Sequence, residues 1–290
     1  MRRFPFKYLT IVLAITLLAT LNTWNKFQAI PQGVQPLQVS FLDVGQGDAI
    51  YIRAPNGNDI LIDGGPDNSV MAQLRQIMPV YDTDIGIIIA THPDKDHIAG
   101  LIPVFEKYDV KKYIHSEISS GTSFDTSLKE HATQEPELEE IIAKRGQRYI
   151  LDNNQGVYLD ILYPNKDTSD FKDTNGASIV ARLVYNQQSF LLTGDAPIAT
   201  ETFLNHQDGL LLGSTVLKLG HHGSKTSSSD QFLKTVHPQY AIVSAGKNNR
   251  YRHPSSEVVD RISHYPITLL STMDSGTITF ETNGVTLTKK

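Results

Sequence analysis

Two imidazoles and two carboxylates stand close together in His92-Pro93-Asp94-Lys95-Asp96-His97. These are the side chains that hold divalent metal ions. Neighbouring positions on one loop can aim at two different points, so the cluster suits two ions better than one. A charged, solvated turn would account for Asp94-Lys95-Asp96 alone, but not for a histidine on each side. The apolar run 85–90 before the cluster and Ile98-Ala99-Gly100 after it predict a buried strand that delivers the loop to a sheet edge.

Further groups of the same kind follow other apolar runs. Leu191-Leu192-Thr193-Gly194-Asp195 ends a predicted strand on a carboxylate, and Pro197 can open a helix in its favoured first position. Asp195 could be shared by two cations or could simply cap that helix. The strand predicted over 216–220 ends on His221-His222-Gly223-Ser224. His221 comes first out of the strand and is the expected ligand, leaving His222 to support it or to face substrate. The corners Gly45-Gln46-Gly47-Asp48 and Asp63-Gly64-Gly65 let backbone approach a site closely. His115, His131, His206, His237 and His264 have no ligand-like neighbours and read as structural or surface groups.

The elements that must position these residues are legible as patterns. Strands are predicted over 37–44, 49–54 and 59–63, with Asn56-Gly57 turning the last two into a meander. A helix over 70–78, the strand into the metal loop, a helix over 98–107 and a short strand over 112–115 follow. Residues 119–145 are polar and acidic, and Glu135, Glu137, Glu139 and Glu140 read as a solvated helix face. A second meander is predicted over 157–163, 179–185 and 189–192. After it come strands over 216–220 and 240–244, a helix over 255–264, and strands over 267–271, 276–282 and 285–288.

At 290 residues and 40% apolar content, the chain can bury one sizeable core or two half-domains sharing one. A net charge of -5 gives no global attraction to nucleic acid and does not exclude a local basic patch. With no cysteine, thiol chemistry and thiolate zinc sites are excluded. Arg2, Arg3 and Lys7 precede an apolar run over 8–21, the pattern of a secretory signal. No clean cleavage site follows, so 1–24 is expected to be a signal peptide or an uncleaved membrane anchor. Residues 25–36, with Pro31, Gly33 and Pro36, are expected to be a linker, and 37–290 the catalytic domain. Positive charge on the inner side would place that domain outside the cytoplasm, anchored or secreted.

The motif His-Pro-Asp-Lys-Asp-His resembles that of the metallo-β-lactamase fold, in the variant with Asp94 where a second histidine is more common. Together with Phe41-Leu42-Asp43-Val44-Gly45-Gln46-Gly47-Asp48-Ala49 and Gly220-His221-His222-Gly223-Ser224-Lys225-Thr226-Ser227, it is similar to the hydrolase domain of the ComEC family of competence DNA-uptake proteins. The resemblance covers roughly residues 37–290 and implies an α/β (α+β) four-layer αβ/βα sandwich, built from two pseudo-repeated halves with metals at one edge. It implies two divalent ions, zinc or manganese. His92 and Asp94 would hold one, Asp96, His97 and His221 the other, with Asp195 between them and Asp63 orienting rather than ligating. Asp96, His222 and His253 are the expected catalytic groups, His253 matching the family's Asn-x-Tyr-x-His-Pro segment at the site mouth. The family's usual third histidine is missing, and Asn175 or Ser178 is the nearest substitute.

Two cations about 4 Å apart can lower the pKa of a bridging water to near neutrality and so supply hydroxide as nucleophile. Asp94 in place of histidine moves preference toward manganese and an alkaline optimum. Residues 221–253 carry Lys225, Lys234, Lys247, Arg250 and Arg252 against only Asp230, a rim suited to an anionic substrate such as a phosphodiester. Substrate contacts are expected from Asn175, Ser178, Ser224, Lys225, Lys247 and Arg250. The expected activity is therefore an extracytoplasmic metal-dependent phosphodiesterase acting on DNA. With no room for a polytopic channel in this length, it would trim DNA beside a separate uptake channel, scavenge nucleotides, or cleave another phosphodiester such as a lipid or wall-polymer headgroup. Hydrolysis of another ester, thioester or lactam is the competing expectation, and a non-catalytic accessory of DNA uptake a third.

Overall fold

The computed structural model describes residues 35–169 and 171–290. The signal or anchor expected over 1–24, and most of the linker, lie outside the described residues. Among the described residues no helix is long and apolar enough to cross a membrane.

The first half runs β1 (Leu37–Phe41), β2 (Ile50–Arg53), β3 (Asp59–Ile62), α1 (Ser69–Ile77), β4 (Asp84–Ala90), α2 (Lys95–Ile98), α3 (Leu101–Lys107), β5 (Asp109–His115), α4 (Ser123–Gln134) and β6 (Glu139–Ile142). The second half opens with β7 (Arg148–Asp152), β8 (Val157–Tyr163), β9 (Val180–Tyr185), β10 (Gln188–Leu192) and α5 (Ile198–Asp208). It continues through β11 (Val216–Lys218), α6 (Asp230–Val236), β12 (Tyr240–Val243), α7 (Ser256–Ser263), β13 (Thr268–Ser271) and α8 (Thr272–Ser275). A closing hairpin, β14 (Ile278–Thr282) and β15 (Leu287–Lys289), completes the chain.

Each half is an antiparallel meander that passes into parallel strands. The sheet orders are β15-β14-β1-β2-β3-β4-β5-β6 and β13-β12-β11-β10-β9-β8-β7. Period-two alternation sorts the side chains into layers. Ile50, Ile52, Ile60, Ile62 and Ile89 of the first sheet share one buried cluster with Leu159, Leu183, Phe190 and Leu192 of the second. The alternate residues Tyr51, Leu61 and Ile88 pack with Leu74, Leu101 and Phe105 of the first helical layer. Leu191, Leu217 and Ala241 do the same with Leu204, Phe232 and Leu233 of the other. Three apolar interfaces thus separate four layers, αβ/βα.

The structure departs from or adds to the sequence reading at three points. The closing hairpin joins the first sheet, where β14 pairs antiparallel with β1 and sets Phe280 opposite Val39. Residues 139–142 form a strand, so Glu139 and Glu140 lie on a sheet edge, where Lys112 and His115 of β5 pair with them, and not on a helix. β7 is not among the strands predicted above: its apolar run Tyr149-Ile150-Leu151 is short, and it is held as a strand by antiparallel pairing with β8, across which Arg148 forms an ion pair with Asp160.

The parallel pairings matter most for the site. β3 pairs parallel with β4, and β10 with β11 and β11 with β12, so their carboxyl ends emerge along common edges. Ligands gather at such ends in open α/β sheets.

Phe280, fully buried, lies edge-on to Phe41 of its own sheet and to Phe190 of the facing one, at centroid distances of 6.3 and 6.1 Å. Phe280→Ala should cost about 3–5 kcal/mol through lost transfer energy and a cavity. Ile150→Ala, at a side chain 61% exposed, should change stability by less than about 0.5 kcal/mol. Urea midpoints of the two variants check the contrast.

Candidate metal centre

The loop after β4 is held in place by backbone contacts that leave no room for side chains. The Gly64 N–H donates to the His97 carbonyl (2.7 Å) and the Asp48 N–H to the Asp96 carbonyl (3.2 Å). A Cβ on Gly47 would sit 2.2 Å from Asp96 O, and one on Gly100 1.9 Å from Gly64 O. Both lie far inside contact distance, so these corners must be glycine for the loop to seat. Asp94 is extended at the head of α2, while Asp96 and His97 lie within that short helix, so their side chains leave the chain in different directions.

A chain of protons fixes the imidazoles. Asp63 accepts from the Thr91 N–H, from the Thr91 hydroxyl and from His97 Nδ1, each at 2.8 Å. The hydroxyl has one proton and gives it to Asp63, so at 3.0 Å it must accept from His92 Nδ1–H. His222 Nδ1 donates to the Ser244 carbonyl at 3.0 Å. His221 Nδ1 donates at 3.2 Å to Thr226 Oγ1, whose own proton goes to Ser224 Oγ. In all four rings these bonds are made by Nδ1 and leave Nε2 pointing the other way. Nε2 of His92, His97 and His222 is buried and has no hydrogen-bond partner.

Those nitrogens converge on carboxylates. Asp195 Oδ2 lies 3.8 Å from His92 Nε2, 3.7 Å from His222 Nε2 and 3.8 Å from His221 Nε2, while its buried, unpartnered Oδ1 lies 3.4 Å from His97 Nε2. Asp94 Oδ2 is 3.7 Å from His92 Nε2, and Asp96 Oδ2 3.4 Å from His222 Nε2. These separations exceed hydrogen-bond length but suit donors arranged around a cation. Asp48, His97, Asp195 and His222 also present ligand atoms within 4.8 Å of one another.

Charge supports the same conclusion. Among the described residues no lysine or arginine pairs with Asp63, Asp94, Asp96 or Asp195; only histidines face them. Burial would lower the basicity of His97 and His222, yet the carboxylates win. His97 is raised well above the ordinary range by Asp195 and Asp63, and His222 is raised to about 9 by Asp195, Asp48 and Asp96. His92 is pushed down to about 4 by burial and by the neighbouring His97. Asp195, which burial would raise, is held far below the carboxylate range by His222 and His97. The site gathers positive charge from wherever it can. Bare buried nitrogens beside surplus carboxylates fit divalent cations.

Of the expected ligands, His92, Asp94, Asp96, His97 and Asp195 are brought together. His221 and His222 both reach Asp195, but the deeper is His222, 1% exposed at its side chain against 30% for His221. His253 lies over them, its ring centroid 5.6 Å from His221 and 6.4 Å from His222. Burial and these two neighbours push it down to about 4, and its Nδ1 is buried and unpartnered. Ser178, expected as a substrate contact, is fully buried, and its hydroxyl accepts from the Asp195 N–H. Ser224 is likewise spent inside, accepting from Thr226. The Thr174 side chain bonds Asp94, and Asn175 beside it keeps a buried, unpartnered Oδ1. Lys225, Lys247 and Arg250 are exposed.

Two participants escaped sequence reading. Thr91, the proton bridge between Asp63 and His92, gave no signal beyond its place before His92. Lys218, fully buried in β11 and 2.8 Å from Asp48, did give one: a lysine inside an apolar strand must find a carboxylate.

Comparison with known proteins agrees with this architecture. Residues 42–247 match the model of the metallo-beta-lactamase superfamily. The chain is 30% identical over 266 residues to ComE operon protein 3 of Bacillus subtilis, covering 84% of this chain and 33% of that protein. It is 32% identical over 274 residues to competence protein ComA of Neisseria gonorrhoeae, with 92% and 35% covered. Recombination protein 2 of Haemophilus influenzae is 32% identical over 248 residues, with 83% and 28% covered. The chain spans about a third of the length of these curated relatives. Among solved structures, the metallo-beta-lactamase fold protein YhfI from Bacillus subtilis superposes with a TM-score of 0.55 at 11% identity, over 81% of this chain and 96% of that one. CmlA, a diiron beta-hydroxylase from Streptomyces venezuelae, gives 0.54 at 12% over 86% and 54%. At such identities these likenesses speak for the fold alone.

Asp63 touches no proposed cation yet orients two imidazoles, so Asp63→Asn should weaken manganese or zinc binding about 10- to 100-fold while the fold persists. Titration calorimetry alongside circular dichroism checks this. Unchanged affinity would show that the Thr91 and His97 hydrogen bonds do not matter to the centre.

Proposed function

The chain belongs to the metallo-beta-lactamase superfamily, whose members are generally metal-dependent hydrolases, and we propose that it is a dinuclear phosphodiesterase acting on DNA outside the cytoplasm. The observation that carries this reading is the set of bare Nε2 atoms facing Asp94, Asp96 and Asp195 without a lysine or arginine among the described residues. With Asp63, which stands behind His97, four carboxylates call for four positive charges, which two divalent cations carry. His92 and Asp94 would hold one cation. Asp96, His97 and His222 would hold the other, with Asp195 between them; His221, the more exposed ring, would turn toward substrate. Such a pair supplies Lewis acidity toward the attacked group and makes an attacking water more acidic.

The chain's own residues do the rest. Asp63 keeps its place through three donors and thereby holds His92 and His97 with Nε2 forward. His253, a neutral imidazole at neutral pH, can accept or share a proton at its free Nδ1. Asn249 fixes the turn that presents it, accepting from the His253 N–H and donating to its carbonyl. The rim favours a polyanion. Lys225, Lys247, Arg250 and Arg252 are all exposed on the segment that runs from His221 to His253, and among the described residues Lys234 is the one lysine or arginine of that segment in an ion pair, with Asp230. Arg250 lies with its guanidinium 4.8 Å from the centre of the half-exposed Tyr251 ring, which stacks on His253. Aromatic and guanidinium planes of this kind suit nucleotides.

The names of the relatives connect them with competence and recombination, and we place this chain in DNA uptake on that ground. Residues 1–24 would anchor it or be cleaved, 25–36 would tether it, and 37–290 would face the outside. Full-length protein should then sediment with membranes and be released by external protease. Recovery from the cytoplasm with Met1 intact contradicts that placement.

The activity itself is tested on DNA oligonucleotides and a small thioester, with manganese, zinc and magnesium compared over a salt series. Asp195→Asn should nearly abolish turnover. Lys247→Ala with Arg250→Ala should raise KM for DNA and flatten the log-log salt slope by about one per residue, because each phosphate contact releases a counterion. Thioester cleavage without DNA cleavage under all three metals overturns the phosphodiesterase reading.

A further inference from the structure

We propose that the ion pair between Asp48 and Lys218 is an outer support of the metal centre that holds His222 from behind, and that Asp48 is not itself a ligand. This rests on the reading of the site as a metal centre. Both partners are buried, Lys218 completely, and Lys218 Nζ stands 2.8 Å from Asp48 Oδ2 and donates to the Leu219 carbonyl at 2.9 Å. Removing an ammonium and a carboxylate from water is costly, and a well-packed apolar pair would often do as well for stability. Some other gain must keep the pair.

The geometry shows where that gain lies. Asp48 Oδ1 is 3.3 Å from His222 Nδ1, the ring nitrogen whose proton goes to the Ser244 carbonyl, while Nε2 on the far side of the ring faces Asp96 and Asp195. Asp48 therefore stands between the Lys218 ammonium and the Nδ1 edge of the His222 ring, with Oδ2 on the ammonium and Oδ1 making no hydrogen bond of its own. A carboxylate behind a ligand imidazole fixes its tautomer and raises the basicity of the forward nitrogen. Lys218 lets that buried carboxylate stay ionised and keeps it from drawing a cation to the wrong side of the ring. The nearness of Asp48 to His97, Asp195 and His222 follows from the same support and needs no bond to metal.

The corner that carries Asp48 explains the connection to the fold. Asp48 N–H donates to the Asp96 carbonyl and the Asp48 carbonyl accepts from Gly65 N–H, so one residue ties the first sheet, the metal loop and, through Lys218, the strand that ends in His222. The arrangement registers the two sheets against each other at the one point where their ligands must meet.

The test compares the full-length wild type with Asp48→Asn/Lys218→Met, a near-isosteric double variant that removes one negative and one positive charge together. Manganese affinity and stoichiometry are measured by competition with a chromophoric chelator, and the urea midpoint of the cation-free protein is measured beside them. The expected result is an affinity about 10- to 100-fold weaker with stoichiometry unchanged. A stoichiometry lower by one ion makes Asp48 a ligand and overturns the proposal. Unaltered affinity with only a lowered urea midpoint overturns it too, leaving the pair as packing. In case the double variant does not fold, 15N shifts of histidine rings in the zinc-loaded wild type decide independently: His222 bound through Nε2 and protonated at Nδ1 supports the proposal, and binding through Nδ1 overturns it. A wild type that takes up no manganese or zinc overturns this inference and the metal reading together, whereas normal uptake with unaltered variants overturns this inference alone.

Discussion

Asp63, Asp94, Asp96 and Asp195 bring negative charge to a sheet edge where burial withholds water, and their charged neighbours there are imidazoles. Carboxylates this close repel, and at partial burial the repulsion is screened far less than on the surface. A fold that relied on apolar packing alone would lose stability at such a point. Here the charge is accommodated in two ways: hydrogen bonds hold each carboxylate or imidazole in a set direction, and the lone pairs left over are aimed inward. Much of the architecture serves that aim. Parallel strands bring the loop ends to one edge, the glycine corners lock the loops by backbone contact, and the buried pair of Asp48 and Lys218 links the two sheets beneath the ligands.

The contrast between the inner and outer parts of the site follows from the same physics. Inside, clustered carboxylates and imidazole nitrogens favour cations; on the segment at the mouth, the exposed Lys225, Lys247, Arg250 and Arg252 favour anions. Under the proposed phosphodiesterase reading, an anionic substrate would meet the rim first and bring its reacting group to the cation-seeking floor. Tyr251 and His253 bridge the two zones with flat, polarisable surfaces.

Sequence alone shows much of the interior and little of the wiring. His92, Asp94, Asp96 and His97 are adjacent in the chain, and Asp195 and the two histidines each follow an apolar strand, so their convergence could be expected from strand patterns. The choice between His221 and His222 could not. Both have left-handed backbone at φ 47 and 53, a conformation uncommon for a residue with a side chain, and this twist sends the second ring inward and the first toward solvent. Ser178 and Ser224 were expected at substrate because hydroxyls near a site can bind it, yet whether a hydroxyl is already committed depends on backbone groups far away in sequence, such as the Asp195 N–H. The helix expected around Glu139 failed for a related reason: exposed edge strands carry charge as helix surfaces do, and only pairing with β5 distinguishes them.

Two divalent cations would balance the carboxylates, seated by His92, Asp94, Asp96, His97, His222 and Asp195. Anomalous diffraction from manganese-loaded crystals, recorded on both sides of the metal edge, tests this directly. Two peaks should flank Asp195, one beside His92 and Asp94 and the other beside Asp96, His97 and His222, with none between Asp48 and Lys218. A single peak bound by Asp48, or no peak at Asp195 in crystals grown with saturating manganese, would contradict it.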